Sequence, residues 1–307
     1  MSAVTPGTHV LPPRRIGLAL HPRRDVGEAL AIVVAWASAT GVELTGPHDD
    51  RLPDGVRRRA DEDVADRCDL VLALGGDGTM LGAMRMAAPL GVPVLGANLG
   101  RLGYLTEVDG DHLGEALDAL AQGAFAVEER SALRAEWDDD ADGRQRRVAY
   151  NDVVLSREPG RGQAALGLSV DGQLLVRYAS DGVIAATPGG STGYSFAAGG
   201  PIVSPQTRAM IVTPDSPHGL FNRAVVLGHE ERLGVEVLAT SAPVALEVDG
   251  RLMAHLGRGA TITVSPHNTP ARVVRLGSAG FADRARRKLG ITDPANLADY
   301  DLAGHER

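Results

Sequence analysis

The pattern of apolar residues changes near Phe125, and that change limits the folds open to the chain. Before it, short apolar runs alternate with helical periodicity. Arg15 to Leu20 reads as a buried strand. Asp25 to Thr40 reads as a helix with Asp25 as its N-cap and Gly41 just past its end. Val42 to Thr45, Asp69 to Leu74 and Val92 to Ala97 are further strands, and Thr79 to Ala88 is a second helix. Strand–helix–strand repeats at this spacing imply a parallel sheet covered by helices on both faces. After Phe125 the segments are short, β-branched and separated by turns: Val148 to Leu155, Leu166 to Val170, Leu174 to Tyr178, Ala209 to Val212, Val235 to Leu238, Val244 to Val248 and Ala260 to Val264. Asp171-Gly172 and Asp249-Gly250 are hairpin signals, so this half is expected to be antiparallel β. Phe281 to Leu289 reads as a last helix that packs back on the first half. The expected architecture is a Rossmann-like α/β domain over 14–127, an all-β domain over 128–280, and a C-terminal helix and tail over 281–307.

Composition excludes several classes. Aromatic residues are only 4% of the 307, so the core must rest on Ala, Val, Leu and Ile. The longest mostly apolar stretch, Ala29 to Ala39, is far short of the ~20 residues that span a bilayer. The N-terminus lacks a signal pattern, and Pro-rich Thr5 to Arg15 reads as a disordered lead-in. A single cysteine, Cys68, fits a reducing compartment and a buried, inert thiol. A formal charge of −8 argues against a nucleic-acid partner. The densest basic cluster, Arg284 to Lys288, is expected to be the solvated face of the closing helix.

Four segments carry candidate chemistry. Leu74-Gly75-Gly76-Asp77-Gly78-Thr79 joins a strand to a helix, where glycines let backbone amides approach an anion and the helix dipole favours it. It is neither a Walker loop nor a dinucleotide fingerprint. A carboxylate among phosphate-binding amides repels phosphate, so Asp77 fits a group that holds Mg²⁺ or accepts a proton from an attacking hydroxyl. Spacing alone leaves open a tight turn that Asp77 caps. Asn98-Leu99-Gly100-Arg101 follows another strand, and by itself it reads more naturally as a turn than as a phosphate contact. Asn151-Asp152 interrupts an apolar strand, where one of two adjacent polar side chains must be buried unless the strand end opens into a cleft. From Asp181 to Pro201, small and hydroxylated residues, among them Ser191, Thr192, Gly193 and Tyr194, suit a loop around a polar ligand, with Tyr194 as a stacking surface. No Cys pair or His-x-x-x-His spacing marks a metal, and no metal ligand is assigned.

In this order, along most of the chain, these segments resemble the NAD kinase family. Gly75 to Thr79 alone would also suit the related lipid kinases. Asn98 to Glu107, the Asn151-Asp152 pair and the stretch from Asp181 to Val203 separate the two, with weaker support from Thr213 to Arg223 and Val248 to Gly250. The resemblance implies an active site in the cleft between the domains and transfer of the ATP γ-phosphoryl group to the adenosine ribose 2′-hydroxyl of NAD. Asp77 is the implied proton acceptor. Gly75, Gly76, Gly78, Thr79, Asn98 and Arg101 would lie at the same site, Asn151 and Asp152 on the adenine–ribose part, and Asp181 with Ser191 to Tyr194 along the dinucleotide. It further implies NAD and ATP (or polyphosphate) as substrates, Mg²⁺ carried mainly with ATP, a cytoplasmic location and a homodimer or homotetramer.

The chain departs from the family pattern at Gly82, where a basic residue is common and Arg85 one turn later is the expected substitute, and at Gly189, Gly193 and Arg251. Two other readings stand beside the enzyme: a kinase of the same superfamily acting on a lipid or polyol, and a non-catalytic NAD(P) sensor. The polar Asp181 to Gly200 loop argues against the first and Asp77 against the second.

Overall fold

The computed structural model describes residues 11–100, 103–139, 143–277 and 280–292. The first half runs β1 (Arg15–Leu20), α1 (Gly27–Thr40), β2 (Glu43–Gly46), β3 (Arg57–Arg58), β4 (Leu70–Gly75), α2 (Asp77–Ala87), β5 (Val94–Asn98), β6 (Val108–Asp109) and α3 (Leu113–Ala121). Strands β3, β2, β1, β4 and β5 lie side by side and parallel. All six residues of β4 are buried, as a parallel strand covered on both faces requires. Its side chains divide by parity. Leu70, Leu72 and Leu74 share a core with Leu30 and Val33 of α1 and Leu117 and Leu120 of α3. Val71 and Ala73 face Met80, Ala83, Met84 and Ala87 of α2.

The second half comprises β7 (Ala126–Asp139), β8 (Gly143–Ala149), β9 (Asp152–Arg157), β10 (Ala164–Val170), β11 (Gln173–Ser180), β12 (Gly182–Ala186), α4 (Tyr194–Ala197), β13 (Ala209–Asp215), β14 (Val225–Gly228), β15 (Leu233–Val237), β16 (Val244–Val248), β17 (Arg251–Leu256), β18 (Thr261–Arg275) and α5 (Phe281–Leu289). Six of these strands, in the order β14-β13-β12-β9-β16-β17, form a separate antiparallel sheet. Its inner face packs Val153, Leu155, Val183, Ala185, Met210 and Leu246 against Leu133, Leu166, Val235 and Val264 of the larger sheet. Asp171 and Asp249 adopt φ of 48°, each followed by a glycine at positive φ, which confirms both hairpin turns.

Several elements depart from the sequence reading. The two halves share one sheet. Along one edge β18 pairs first with β15 and then, at Val273↔Val94, with β5; its other edge pairs with β7 throughout. The short strand expected at Ala260 to Val264 is thus the start of fifteen residues. β7 was not anticipated, because Glu128, Glu129, Arg130, Arg134 and Glu136 mask its alternation. The strand expected over Val148 to Leu155 is broken at Tyr150-Asn151. α1 starts two residues late, with Val26 at the N-cap position, although Asp25 Oδ1 still accepts the Gly27 N–H at 2.8 Å. Cys68 is buried, donates to the Val64 carbonyl and has its thiol pushed up by burial, as an inert thiol should.

A charged network closes the junction. Arg275, at the end of β18, bonds Glu107 Oε2 at 2.6 Å and Glu128 Oε2 at 2.8 Å, and Glu107 Oε1 also accepts the Leu276 N–H. Arg130 approaches the same Glu128 oxygen at 3.3 Å. Burial and the neighbouring Arg275 pull Arg130 down to about 10, so it stays charged at neutral pH. Removing one member of such a set strands its partners. Arg275→Met, which leaves Glu107 and Glu128 without their shared cation, should lower stability by about 3–5 kcal/mol in urea unfolding at neutral pH.

Candidate functional site

β4 ends at Gly75 and α2 begins at Asp77, so the turn between them is Gly76 alone, in an extended conformation. A side chain on Gly75 would overlap Thr79, whose hydroxyl is buried there without a hydrogen-bond partner. This close fit seats the first turn of α2 on the strand and places Asp77 at the positive end of the helix. The Asp77 carboxylate is then held from outside: Oδ2 accepts the Tyr104 N–H at 2.9 Å and Oδ1 the Leu105 N–H at 3.0 Å. Gly103 is obligatory, because a Cβ there would run into that carboxylate and the Thr106 hydroxyl. Asn98, buried at the end of β5, donates Nδ2 to the Gly100 carbonyl at 3.3 Å and has Oδ1 close to Gly76. Gly78 is exposed at the rim. Arg101 lies outside the described residues.

The second half of the site is organised by a residue that the sequence reading used as a hairpin signal and as weak support for the family resemblance, with no role in the site. The side chain of Asp249 is fully buried. Its Oδ1 accepts the N–H groups of Tyr150 at 3.0 Å, Asn151 at 2.7 Å and Asp152 at 3.3 Å, and Oδ2 pairs with Arg85 of α2 at 3.2 Å. Three consecutive amides aimed at one carboxylate bend the chain at Tyr150-Asn151. Asn151 therefore sits in that bend rather than in a strand, with its Oδ1 buried and unpartnered. Arg85, the expected stand-in for a basic residue at Gly82, is instead engaged with Asp249. Burial lowers its guanidinium slightly against the opposing pull of that carboxylate.

Against the bend lies the glycine-rich loop. A side chain on Gly190 would strike the backbone of Asn151, so glycine is required there for contact alone. Thr187 N–H donates to the Asn151 carbonyl at 2.8 Å and Thr187 Oγ1 to the Tyr150 carbonyl at 2.8 Å. Ser191 is buried and its hydroxyl serves the loop itself, donating to Pro188 O and accepting the Val203 N–H. Thr192 and Gly189 line a small cavity together with Tyr104, Leu105, Arg130 and Lys288. Gly193 faces the carboxyl of Asp152. Asp152 is 7% exposed, and burial, with the nearby Asp249 and Glu247 carboxylates, raises it to about 7.

The structure does not bring all the candidates together. Asp181 and Thr187 lie at opposite ends of β12, roughly 20 Å apart along an extended chain. At the far end Asp181 pairs with Arg157, and the Tyr194 hydroxyl donates to Asp215 Oδ2 at 3.1 Å. Burial and that carboxylate push the Tyr194 phenol up to about 12. Among the described residues no group of three or more His, Cys, Asp or Glu side chains is arranged to hold a metal ion. Arg130 and Lys288 lay outside the sequence reading of the site. Asp249 reaches it through partners 97 to 164 positions away, a relation no local pattern carries.

Two family models match the chain: the ATP-NAD kinase N-terminal domain over residues 29–125 and the ATP-NAD kinase C-terminal domain over 150–276. NAD kinase 1 of Streptomyces avermitilis is 38% identical, across 94% of this chain and 91% of its own length. The NAD kinase of Moorella thermoacetica is 44% identical, across 71% of this chain and 70% of its own. Among solved structures, yeast NADH kinase complexed with NADH superposes with a TM-score of 0.83 at 25% identity, covering 96% of this chain and 94% of that one. An NAD kinase from Archaeoglobus fulgidus in complex with ATP gives 0.66 at 23% identity over 90% of this chain and 97% of that one, a likeness of fold alone.

Two outcomes test this geometry. Asp249→Asn removes the buried anion opposite half-buried Arg85 and should cost about 3–5 kcal/mol in urea unfolding. Asp152 is about 7 when folded against 3.8 as its reference value, so it contributes stability below about pH 4 that is lost as pH rises through 7. Asp152→Asn cannot ionise, and its melting temperature should gain on the wild type between about pH 5 and pH 8.

Proposed function

Because the chain belongs to the NAD kinase family, its activity is that of an NAD kinase, and we propose that Asp77 is the group around which the transfer is built. The ribose 2′-oxygen of NAD attacks the γ-phosphorus of ATP, the bond from that phosphorus to the departing ADP oxygen breaks, and the hydroxyl proton passes to Asp77. The observation that carries this reading is the mounting of the carboxylate. Each oxygen accepts one backbone amide, leaving a second lone pair on each for a substrate hydroxyl. Phosphoryl transfer through a loose transition state depends mainly on alignment and charge neutralisation, so a carboxylate clamped in this way need not remove the proton early.

The remaining site residues take supporting roles in this reading. Gly75, Gly76, Gly78 and Thr79 shape the turn, and the first-turn amides of α2 face the phosphates. Asn98 borders them, and Arg101 is assigned to the same phosphates from its place in the sequence motif. Asn151, Asp152 and the Ser191 to Gly193 loop receive the adenosine, with the unpartnered Asn151 Oδ1 as a waiting acceptor. Asp181 and Tyr194 belong to the distant part of the dinucleotide. Mg²⁺ enters as part of the ATP complex, and with no lysine in the Gly75–Thr79 loop the amides share its work of balancing phosphate charge. We further place residues 14–127 and 128–280 as the two domains with 281–307 as an appended helix and tail, the protein in the cytoplasm, and the assembly as a homodimer or homotetramer. No described helix is long and apolar enough to cross a membrane.

NADP formation from NAD, ATP and Mg²⁺ tests the proposal, with NADH and polyphosphate assayed in parallel. Asp77→Asn should fall by roughly 10²-fold or more while retaining NAD binding. Wild-type turnover by that variant would remove Asp77 from the mechanism. Folded wild-type protein that binds NAD yet forms no product with any donor would instead identify a sensor.

A further inference from the structure

α5 lies beyond residue 276, where the C-terminal family match stops. Its basic run was expected to be a solvated face, and half of it is not. Arg286 and Arg287 are exposed, whereas Arg284 and Lys288 turn inward. Arg284 approaches Glu128 at 3.9 Å. Lys288 Nζ donates to the carbonyls of Tyr104 at 3.0 Å and Thr106 at 2.8 Å, and the Tyr104 hydroxyl donates back to the Lys288 carbonyl at 2.9 Å.

These carbonyls belong to the segment whose amides hold Asp77. Tyr104 serves both sides at once, its N–H on the Asp77 carboxylate and its C=O on the Lys288 ammonium. Residues 103–106 form neither helix nor strand, so no backbone ladder fixes their peptide planes. Among the described residues, their backbone is held by Asp77 on one side, Lys288 on the other, and the Glu107 N–H to the Gly96 carbonyl at the exit. Burial lowers the Lys288 amine to about 8, with Asp77 and Glu107 pulling it back up and Arg275 and Arg287 adding to the fall. A lysine desolvated to that extent is spending hydration free energy on these two carbonyls rather than resting on a surface.

We propose that Lys288 is a positioning residue for phosphoryl transfer, which fixes the 103–106 segment so that its amides keep the Asp77 carboxylate aimed at the acceptor hydroxyl. The proposal deepens the reading of Asp77 given above and rests on it. A carboxylate displaced by about 1 Å loses much of the advantage of alignment, so the effect belongs in turnover rather than in binding.

The experiment is a mutant cycle on the full chain: wild type, Lys288→Met, Asp77→Asn and the double variant, with Lys288→Arg alongside. In each, kcat, KM for NAD and ATP, and melting temperature are measured, using enough enzyme to quantify residual rates. Lys288→Met should reduce kcat by roughly ten- to a hundredfold with little change in KM, and Lys288→Arg should recover much of it. In the Asp77→Asn background the same change should cost less than about twofold, because the two residues act as a unit. Wild-type kcat in Lys288→Met, or an equal loss in both backgrounds, overturns the proposal while leaving Asp77 in place. Wild-type kcat in Asp77→Asn overturns the reading of Asp77 and this inference with it. If Lys288→Met fails to fold, Tyr104→Phe, which removes only the return bond to α5, takes its place in the cycle and should show the same background dependence at smaller size.

Discussion

A carboxylate buried without water must be matched by donors, and at Asp249 the donors come from both halves of the molecule. Three consecutive amides of the Tyr150–Asp152 bend and the guanidinium of Arg85 converge on it. Arg85 rides on α2, the helix that begins with Asp77. Helix α2 and the bend that presents Asn151 and Asp152 are therefore tied to one anion. The Gly190 loop depends on the same point, because its glycine packs directly on the backbone that Asp249 bends. Without this acceptor, three N–H groups of the bend and the half-buried Arg85 cation would lose their partner together.

The larger frame is continuous for a related reason. β18 carries antiparallel β structure along most of its length, then meets β5 in parallel at its end. Arg275 closes that end, gathering Glu107 from the loop beside the Asp77 segment and Glu128 from β7. The two halves are thus joined by a shared sheet, by the Arg275 network and by the Arg85–Asp249 pair. Rigid strands position the loops, and the loops present amides and carboxylates. A phosphoryl-transfer site needs that division, since alignment supplies much of the catalysis. The cavity beside Tyr104 is bordered by Arg130, Arg275, Arg284 and Lys288 together with Leu105, Val203 and Phe281.

Much of this was legible along the chain. The apolar runs of β1 and β4, the αL glycine after α1, both Asp-Gly hairpins and the span of α5 follow from local periodicity and turn chemistry, which act over a few residues and leave a mark in sequence. The motif around Asp77 was legible for the same reason, because a strand, a glycine turn and a helix start occupy one short segment. β7 was not legible, since its charged residues mask the alternation and its long pairing partner, β18, lies near the other end of the chain.

By itself the sequence determined the two kinds of half, the strand–turn–helix motif that carries Asp77 and the family to which the chain belongs. Tertiary structure alone decided that Asp249 and Lys288 stand behind the site and that Arg85 is engaged in a joint. It also decided that Asp181 lies a strand's length from Thr187, with the Tyr194 hydroxyl on Asp215 at that far end. The physical reason is range. Propensity and turn geometry are set by residues next to one another, whereas the satisfaction of a buried charge is settled only by whatever the completed fold brings within hydrogen-bonding distance.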